Sequence, residues 1–340
     1  MIKIGINGFN RIVKMIIYLT IKNSNSNIKI VGINIKNEKL IDIDNLIYIL
    51  KYDTIHRLPK INIIKNNNNI IINNKHIIRI TNEKKNFKWD KINAKYIIET
   101  EKKNENNLYN HIKSGAKKVI FTYYPKNKKI PIFILGLNHK LINKDNNIIS
   151  SSSSSINCLA IILKVLHKEF IINECLATNI KSLNNKLTII DDLNLKNKNI
   201  IKCRSFLNNI IPIKNKFKKK INLIIPELKN KIKGLDLIVP NINSSLIDLN
   251  IKINKSTSYK DVKNIIKFYS KNELSGILGY NKKKLISSDF LDDIRISIFD
   301  SKRSTMLNKK FLKIISWYNN EISYSKKLID LIKYIEYNII

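Results

Sequence analysis

The chain is poor in cysteine, arginine, glycine, proline and acidic residues. Three cysteines in 340 residues, Cys158, Cys175 and Cys203, are too few and too odd in number for a disulfide framework. That points to a reducing compartment, the cytoplasm. No apolar run reaches the ~18 residues that a membrane-spanning helix needs, so no membrane span is expected. The first ten residues alternate like a strand and lack the layout of a signal peptide. Asp and Glu number 26 against 62 Lys and Arg, a formal charge of +36. A positive field suits polyanions, yet only 6 of the 62 cations are Arg. Arg is the residue that nucleic-acid readers use for bidentate contacts.

What is abundant offers another account of the charge. Ile (73), Lys (56) and Asn (51) make up more than half of the chain. All three are written in A- and T-rich codons, while Gly (8), Pro (6) and Ala are scarce. Drift in nucleotide composition yields this profile whatever the protein does, so nucleic acid is the disfavoured partner. With 44% apolar residues the chain can bury a core, and its length suffices for two domains.

Residues 2–7 read as a buried strand, 11–21 as a helix with Ile12, Met15, Ile16 and Leu19 on one face, and 28–34 as a second strand. That β-α-β unit is the usual opening of a doubly wound sheet. Further strands are expected at 61–64, 70–73, 76–80, 95–99, 117–122, 235–239, 246–253, 295–299 and 311–317. Helices are expected at 156–168 and 324–338. Residues 190–220 read as polar and irregular, with lysines at 214, 216 and 218–220. No solenoid-type repeat is present.

Ordered motifs run along the whole chain. They include G-I-N-G-F-N-R-I (5–12), L-K-Y-D-T-I-H (50–56), S-G-A-K-K-V-I (114–120), G-L-N-H (136–139), N-C-L-A (157–160), I-P-E-L (225–228), S-S-D-F (287–290) and I-S-W-Y-N-N-E-I-S-Y-S (315–325). In order and spacing the chain resembles the glyceraldehyde-3-phosphate dehydrogenase family, end to end. The resemblance implies an α/β protein. An N-terminal Rossmann NAD-binding domain would span 1–153 plus the C-terminal helix 321–340. An α+β catalytic and oligomerisation domain with a mainly antiparallel sheet would span 154–320. It further implies NAD, a small phosphorylated aldehyde, inorganic phosphate, no metal, a homotetramer and a role in glycolysis. Erythrose 4-phosphate is the alternative aldehyde.

The family's reaction uses a cysteine thiolate and a histidine base. N-C-L-A fixes the family's second cysteine as Cys158, which puts the nucleophile position at Ser154, inside the run Ser150–Ser155. The family's T-T-V-H string becomes T-N-I-K, so Lys181 stands at the base position. A lysine is an ammonium at neutral pH unless burial depresses it. Three readings stay open. The two residues are remnants of a lost site; or they form a Ser–Lys nucleophile and base; or Cys158, one helical turn on, substitutes for the nucleophile.

By the same resemblance, G-F-G-R-I-G becomes G-F-N-R-I-V, with Gly8, Asn10, Arg11 and Ile12 at the pyrophosphate turn. Asn10 tolerates unusual backbone angles better than most residues. Ile35 replaces the acid that holds the adenosine ribose, a loss of about 1.5–3 kcal/mol for a charge-assisted bond. Lys84 matches a basic residue near the adenine, Thr122 the hydroxyl at a strand end, and Asn320 the amide that holds the nicotinamide. Strand-end and helix-cap duty is the structural alternative for Thr122 and Asn320. Ser153 and Ser155 flank the nucleophile position. The phosphate positions fall on Asn184, Asn215, Lys216 and Ile238, which leave positive charge without precise placement of an anion. The expectation is a dehydrogenase by descent with weak or lost activity. The alternatives are a non-catalytic NAD-binding or scaffold protein and, third, a polyanion binder.

Overall fold

Alternating burial of isoleucine starts the fold. β1 (Ile2–Asn7) hides Ile2, Ile4 and Ile6, and α1 (Arg11–Lys22) turns Val13, Met15, Ile16, Ile17 and Leu19 inward. β2 (Ile28–Asn34) then pairs parallel with β1. A computed structural model describes residues 1–22, 27–36, 42–56, 61–183, 187–191, 200–215 and 217–339. The chain divides into two compact units, residues 1–153 with 324–340, and residues 154–323.

The first unit adds α2 (Ile43–Lys51), β3 (Ile63–Asn66), β4 (Asn69–Ile72), β5 (His76–Thr81), β6 (Tyr96–Glu99), α3 (Leu108–Lys113), β7 (Lys118–Phe121) and β8 (Ile148–Ser150). The sheet order is β3-β4-β5-β2-β1-β6-β7-β8. From β5 to β8 all pairings are parallel, and β3-β4-β5 is an antiparallel extension. This is the Rossmann-like arrangement, with the strand order reversing next to β1. Phe87, Trp89, Ile97, Leu108, Val119 and Phe121 form a core cluster. Residues of the last helix belong to this unit: Ser325 Oγ donates to the Ile12 carbonyl, and Tyr96 OH donates to Glu336.

The second unit opens with α4 (Ser154–Phe170), buried almost all round, as its run of Ile, Leu and Val requires. β9 (Ile172–Lys181), β10 (Ile211–Lys214), α5 (Phe217–Ile224), β11 (Ile232–Ile238), β12 (Ser245–Ile253), α6 (Tyr259–Lys271), β13 (Leu278–Asn281), β14 (Ser297–Asp300), β15 (Thr305–Asn308) and β16 (Phe311–Tyr318) follow, and the chain then enters the last helix, α7 (Ile322–Asn338), whose residues from 324 on belong to the first unit. The sheet order is β10-β11-β9-β12-β16-β14-β13, with β15 on β16. Pairing is antiparallel except for β9–β11 and β13–β14, so the sheet is mixed. At β9–β11 a side chain on Gly234 would collide with the Ala177 carbonyl, and only glycine fits there.

Three differences from the sequence reading have physical causes. β9 escapes notice because Asn179, Ala177 and Cys175 fill buried positions that strand patterns assign to large aliphatics. Residues 211–214 and 217–220 are not irregular, although 192–199 and 216 lie outside the described residues. Phe217, Ile221 and Ile224 make the buried stripe of α5, and the intervening lysines mask its period. α6 was not expected either. Ser258 caps it and Asp261 answers from the third position, the reciprocal pattern of a capping box.

Candidate functional site

The first constellation gathers at the strand ends of the first unit. Gly8 follows β1 with φ of +93°, and a Cβ there would collide with Thr100 Oγ1 and lie 2.9 Å from Glu101 Oε1. Both the angle and the crowding demand glycine. Asn10 does not adopt the left-handed angle that its residue type permits. It caps α1 instead: its Oδ1 accepts from the Val13 N–H at 3.2 Å and its carbonyl from the Lys14 N–H.

Arg11 forms a two-pronged pair with Asp53, at 3.1 and 3.2 Å. Lys14 reaches the same carboxylate at 2.8 Å and donates to the carbonyls of Ile49 and Tyr52. Burial alone would raise the Asp53 pKa. The Arg11 and Lys14 side chains and the His56 N–H more than offset that and hold it far below the usual carboxylate range. Ile12 is half-buried. Ile35 is buried just past β2, its N–H donating to the Thr81 carbonyl at 2.8 Å. Lys84 is exposed. Thr122 is buried, with N–H and Oγ1 both donating to the Glu99 carbonyl at 3.1 Å.

Behind this turn lies a polar network that the sequence reading missed. Trp89 Nε1 donates to His111 Nδ1 at 2.9 Å, so His111 Nε2 carries the hydrogen and donates to Glu99 at 3.0 Å. Glu99 also accepts from Asn7 Nδ2 and the Glu101 N–H, both at 2.6 Å. Asn34 Nδ2 donates on to Asn7 Oδ1 at 2.7 Å. The side-chain partners are 12 to 92 residues apart, and the fold of the parallel sheet brings them together.

The second constellation belongs to the second unit. Ser154 is the first residue of α4, and its Oγ donates weakly to Asn320 Oδ1 at 3.5 Å. Asn320 Nδ2 donates to Ser182 Oγ at 2.6 Å and Ser245 Oγ at 3.0 Å. Ser155 is buried in the first helical turn, and Ser153, just before it, is half-buried.

Lys181 ends β9. Its ammonium donates to Asp236 Oδ2 at 2.5 Å, and the side chains keep 31% and 11% exposure. The β9–β11 register explains the pair. Asp236 faces Asn179, and Lys181, two residues on, points to the same side. Asp236 Oδ1 accepts from Asn179 Nδ2 at 3.1 Å and Asn215 Nδ2 at 3.3 Å. Tyr318 OH donates to Asn179 Oδ1 at 2.9 Å. Ile238 is buried opposite Lys181 in that register. Asn184 and Lys216 lie outside the described residues. No sequence signal marks Asp236, 55 positions from its partner.

These distances decide what the second site can do. Among the described residues Ser154 and Lys181 share no hydrogen bond. The Lys181 ammonium is a donor, and a donor bound to a carboxylate does not take up a hydroxyl proton. Cys158 is fully buried, with its sulfur against Ser316 Oγ at 3.5 Å and Ser297 Oγ at 3.6 Å. Burial pushes its thiol up to about 11, although the two hydroxyls lower it. That is the reverse of an activated thiolate.

The sequence profile of the glyceraldehyde 3-phosphate dehydrogenase NAD binding domain matches residues 2–105, and that of the family's C-terminal domain matches 153–320. The chain belongs to the glyceraldehyde 3-phosphate dehydrogenase family. Relatives of that name match over almost the whole length. The enzyme of Cochliobolus lunatus is 35% identical over 98% of this chain and 97% of its own. That of Buchnera aphidicola subsp. Schizaphis graminum is 37% identical over 98% of each chain. The cytosolic enzyme of Craterostigma plantagineum is 34% identical, again over 98% of each chain.

Members of the glyceraldehyde 3-phosphate dehydrogenase family are NAD-dependent oxidoreductases, and NAD is the cofactor of the N-terminal domain. The Gly8 turn fits it. A glycine that no other residue can replace opens onto the N-terminus of α1, the geometry that receives a pyrophosphate. Ile35, just past β2, is buried and offers no side-chain acceptor. Among the described residues no group of His, Cys, Asp or Glu could hold a metal ion, and no helix is long and apolar enough to cross a membrane.

Proposed function

We propose that this chain is a phosphorylating glyceraldehyde 3-phosphate dehydrogenase by descent whose own turnover is weak or lost. The closed Lys181–Asp236 pair carries this reading. The family reaction needs a nucleophile that adds to the aldehyde carbon and a base that takes its proton. NAD, when bound, supplies the hydride acceptor. Ser154 holds the nucleophile position and Lys181 the base position, and neither activates the other. Asn320, which reaches Ser154, is an amide and accepts no proton.

The NAD-binding role falls to residues 1–153 with 321–340, through Gly8, Asn10, Arg11, Ile12 and Thr122. Substrate binding falls to 154–320. There the phosphate positions are weak: Ile238 is buried and apolar, and Asn215 is spent on Asp236. The substrate is a small phosphorylated aldehyde with inorganic phosphate, the assembly a homotetramer and the compartment the cytoplasm. NADH formation, followed at 340 nm with purified protein, glyceraldehyde 3-phosphate, phosphate and NAD, tests the reading. Turnover at ordinary enzyme rates, about 1–10³ per second, would sink it.

A second reading has its own support. The intact Gly8 turn favours a non-catalytic protein that still binds NAD. Calorimetric titration tests it: NAD binding at micromolar affinity without turnover supports a retained cofactor site, and no binding at millimolar NAD leaves only a scaffold.

A further inference from the structure

The Gly8 turn has an acid set against it. The segment that leaves β6 runs Glu99-Thr100-Glu101 and lies beside the end of β1. Thr100 donates to the Asn7 carbonyl twice, from its N–H and from its Oγ1, each at 2.9 Å. The Glu101 N–H donates to Glu99 Oε1 at 2.6 Å, which fixes the backbone of Glu101. These bonds deliver the Glu101 side chain to the turn. Its Oε1 lies 2.9 Å and its Cγ 3.0 Å from the point that a Cβ on Gly8 would occupy. The carboxylate takes up the space beside the bare Gly8 Cα.

The charge is felt on Tyr123 as well. That half-buried residue has its hydroxyl pKa raised by burial first, then by Glu101 and then by Glu99. The Glu99 carboxylate is taken up by donors from Asn7, His111 and the Glu101 backbone. Glu101 is therefore the acid that faces the turn. Ahead of it stands a helix N-terminus, whose N–H groups and dipole attract anions. α1 has no acid in its first turn, and the cations Arg11 and Lys14 both reach Asp53. A carboxylate beside Gly8 draws on the same positive field that a pyrophosphate needs.

We propose that Glu101 sets the dinucleotide affinity of this chain: its carboxylate stands in for the ligand's phosphate at the Gly8 turn, and an incoming dinucleotide has to displace it or bind against its charge. The inference rests on the reading that the first unit holds NAD. It gives Glu101 a hold on the pyrophosphate and none on the nucleoside end.

Calorimetric titration of the full chain with NAD, and with adenosine as a probe that lacks phosphate, tests it. Glu101→Gln keeps the shape of the side chain and removes its charge. NAD binding should tighten about tenfold, the scale of one unit charge removed from a few ångströms away near a protein surface. Adenosine binding should stay within about twofold. The gain should shrink as salt screens the charges. Glu101→Ser, which withdraws the side chain, should give the same gain. Glu174→Gln, an equal change of net charge at an exposed position of the second unit, should alter neither affinity. NAD affinity unchanged or weakened in both Glu101 variants, or a gain that adenosine or Glu174→Gln shares, overturns the inference and leaves the proposed function standing. If neither the parent nor either Glu101 variant binds NAD at millimolar concentration, both fall.

Discussion

Two strand ends behave in opposite ways. β6 ends on Glu99, wholly buried, with donors from Asn7, His111 and the Glu101 backbone on its carboxylate. β9 ends on Lys181, about a third exposed, with one carboxylate for a partner. A charge with no access to water must have its partners or the fold fails. A charge at the rim can change its chemistry with little effect on stability. Stability therefore holds the scaffold of this chain in place and does not hold its reactive groups.

That contrast is open to measurement. The largest effect should come from restoring chemistry at the half-exposed end. Ser154→Cys combined with Lys181→His should raise NADH formation by about 10⁴-fold, equivalent to about 5.5 kcal/mol of barrier. A gain below tenfold would mean that the phosphate positions limit the site as well. Next, Glu99→Ala should cost about 3–5 kcal/mol in urea unfolding, because it strands buried donors. Lys181→Ala should cost below about 1 kcal/mol in the same assay. Equal losses for the two would break the comparison.

Gly8→Ala should cost about 1–3 kcal/mol through its left-handed angle and the clash at Thr100. NAD binding should fall with it.

Asp53 gives a smaller, pH-linked effect. Its folded pKa is depressed, so its contribution is complete above the unfolded value of about 3.9 and drains away as pH falls below it. Asp53→Asn should flatten acid unfolding curves below that pH. A slope unchanged from the parent would count against the Arg11–Asp53–Lys14 cluster.

The smallest effect concerns Cys158. In native protein near pH 8 it should resist iodoacetamide and label only in denaturant, by mass spectrometry of its peptide. Fast native labelling would revive it as a nucleophile.

The order of elements was readable where burial repeats along the chain. β1, α1 and β2 announce themselves through alternating or helical isoleucines. α5 and β9 do not, because lysines interrupt one pattern and buried Asn179 interrupts the other. At the proposed site, the motifs single out Ser154 and Lys181. They do not single out the partners. Asp236 reaches Lys181 across a parallel strand pair, and Asp53 meets Arg11 and Lys14 across 39 to 42 residues of chain. Asn10 shows a subtler limit. Its residue type allowed a left-handed turn, and its place before α1 made it a helix cap instead.

The sequence by itself determined the family and the two-domain α/β plan, since these are written locally as motifs and burial periods, and by resemblance it offered Ser154 and Lys181 as nucleophile and base. Only the tertiary structure decided what surrounds those two residues. Proton transfer depends on ångström distances between residues far apart in the chain, and strand register alone sets them. It paired Lys181 with Asp236, sealed Cys158 in the core and left Ser154 with an amide.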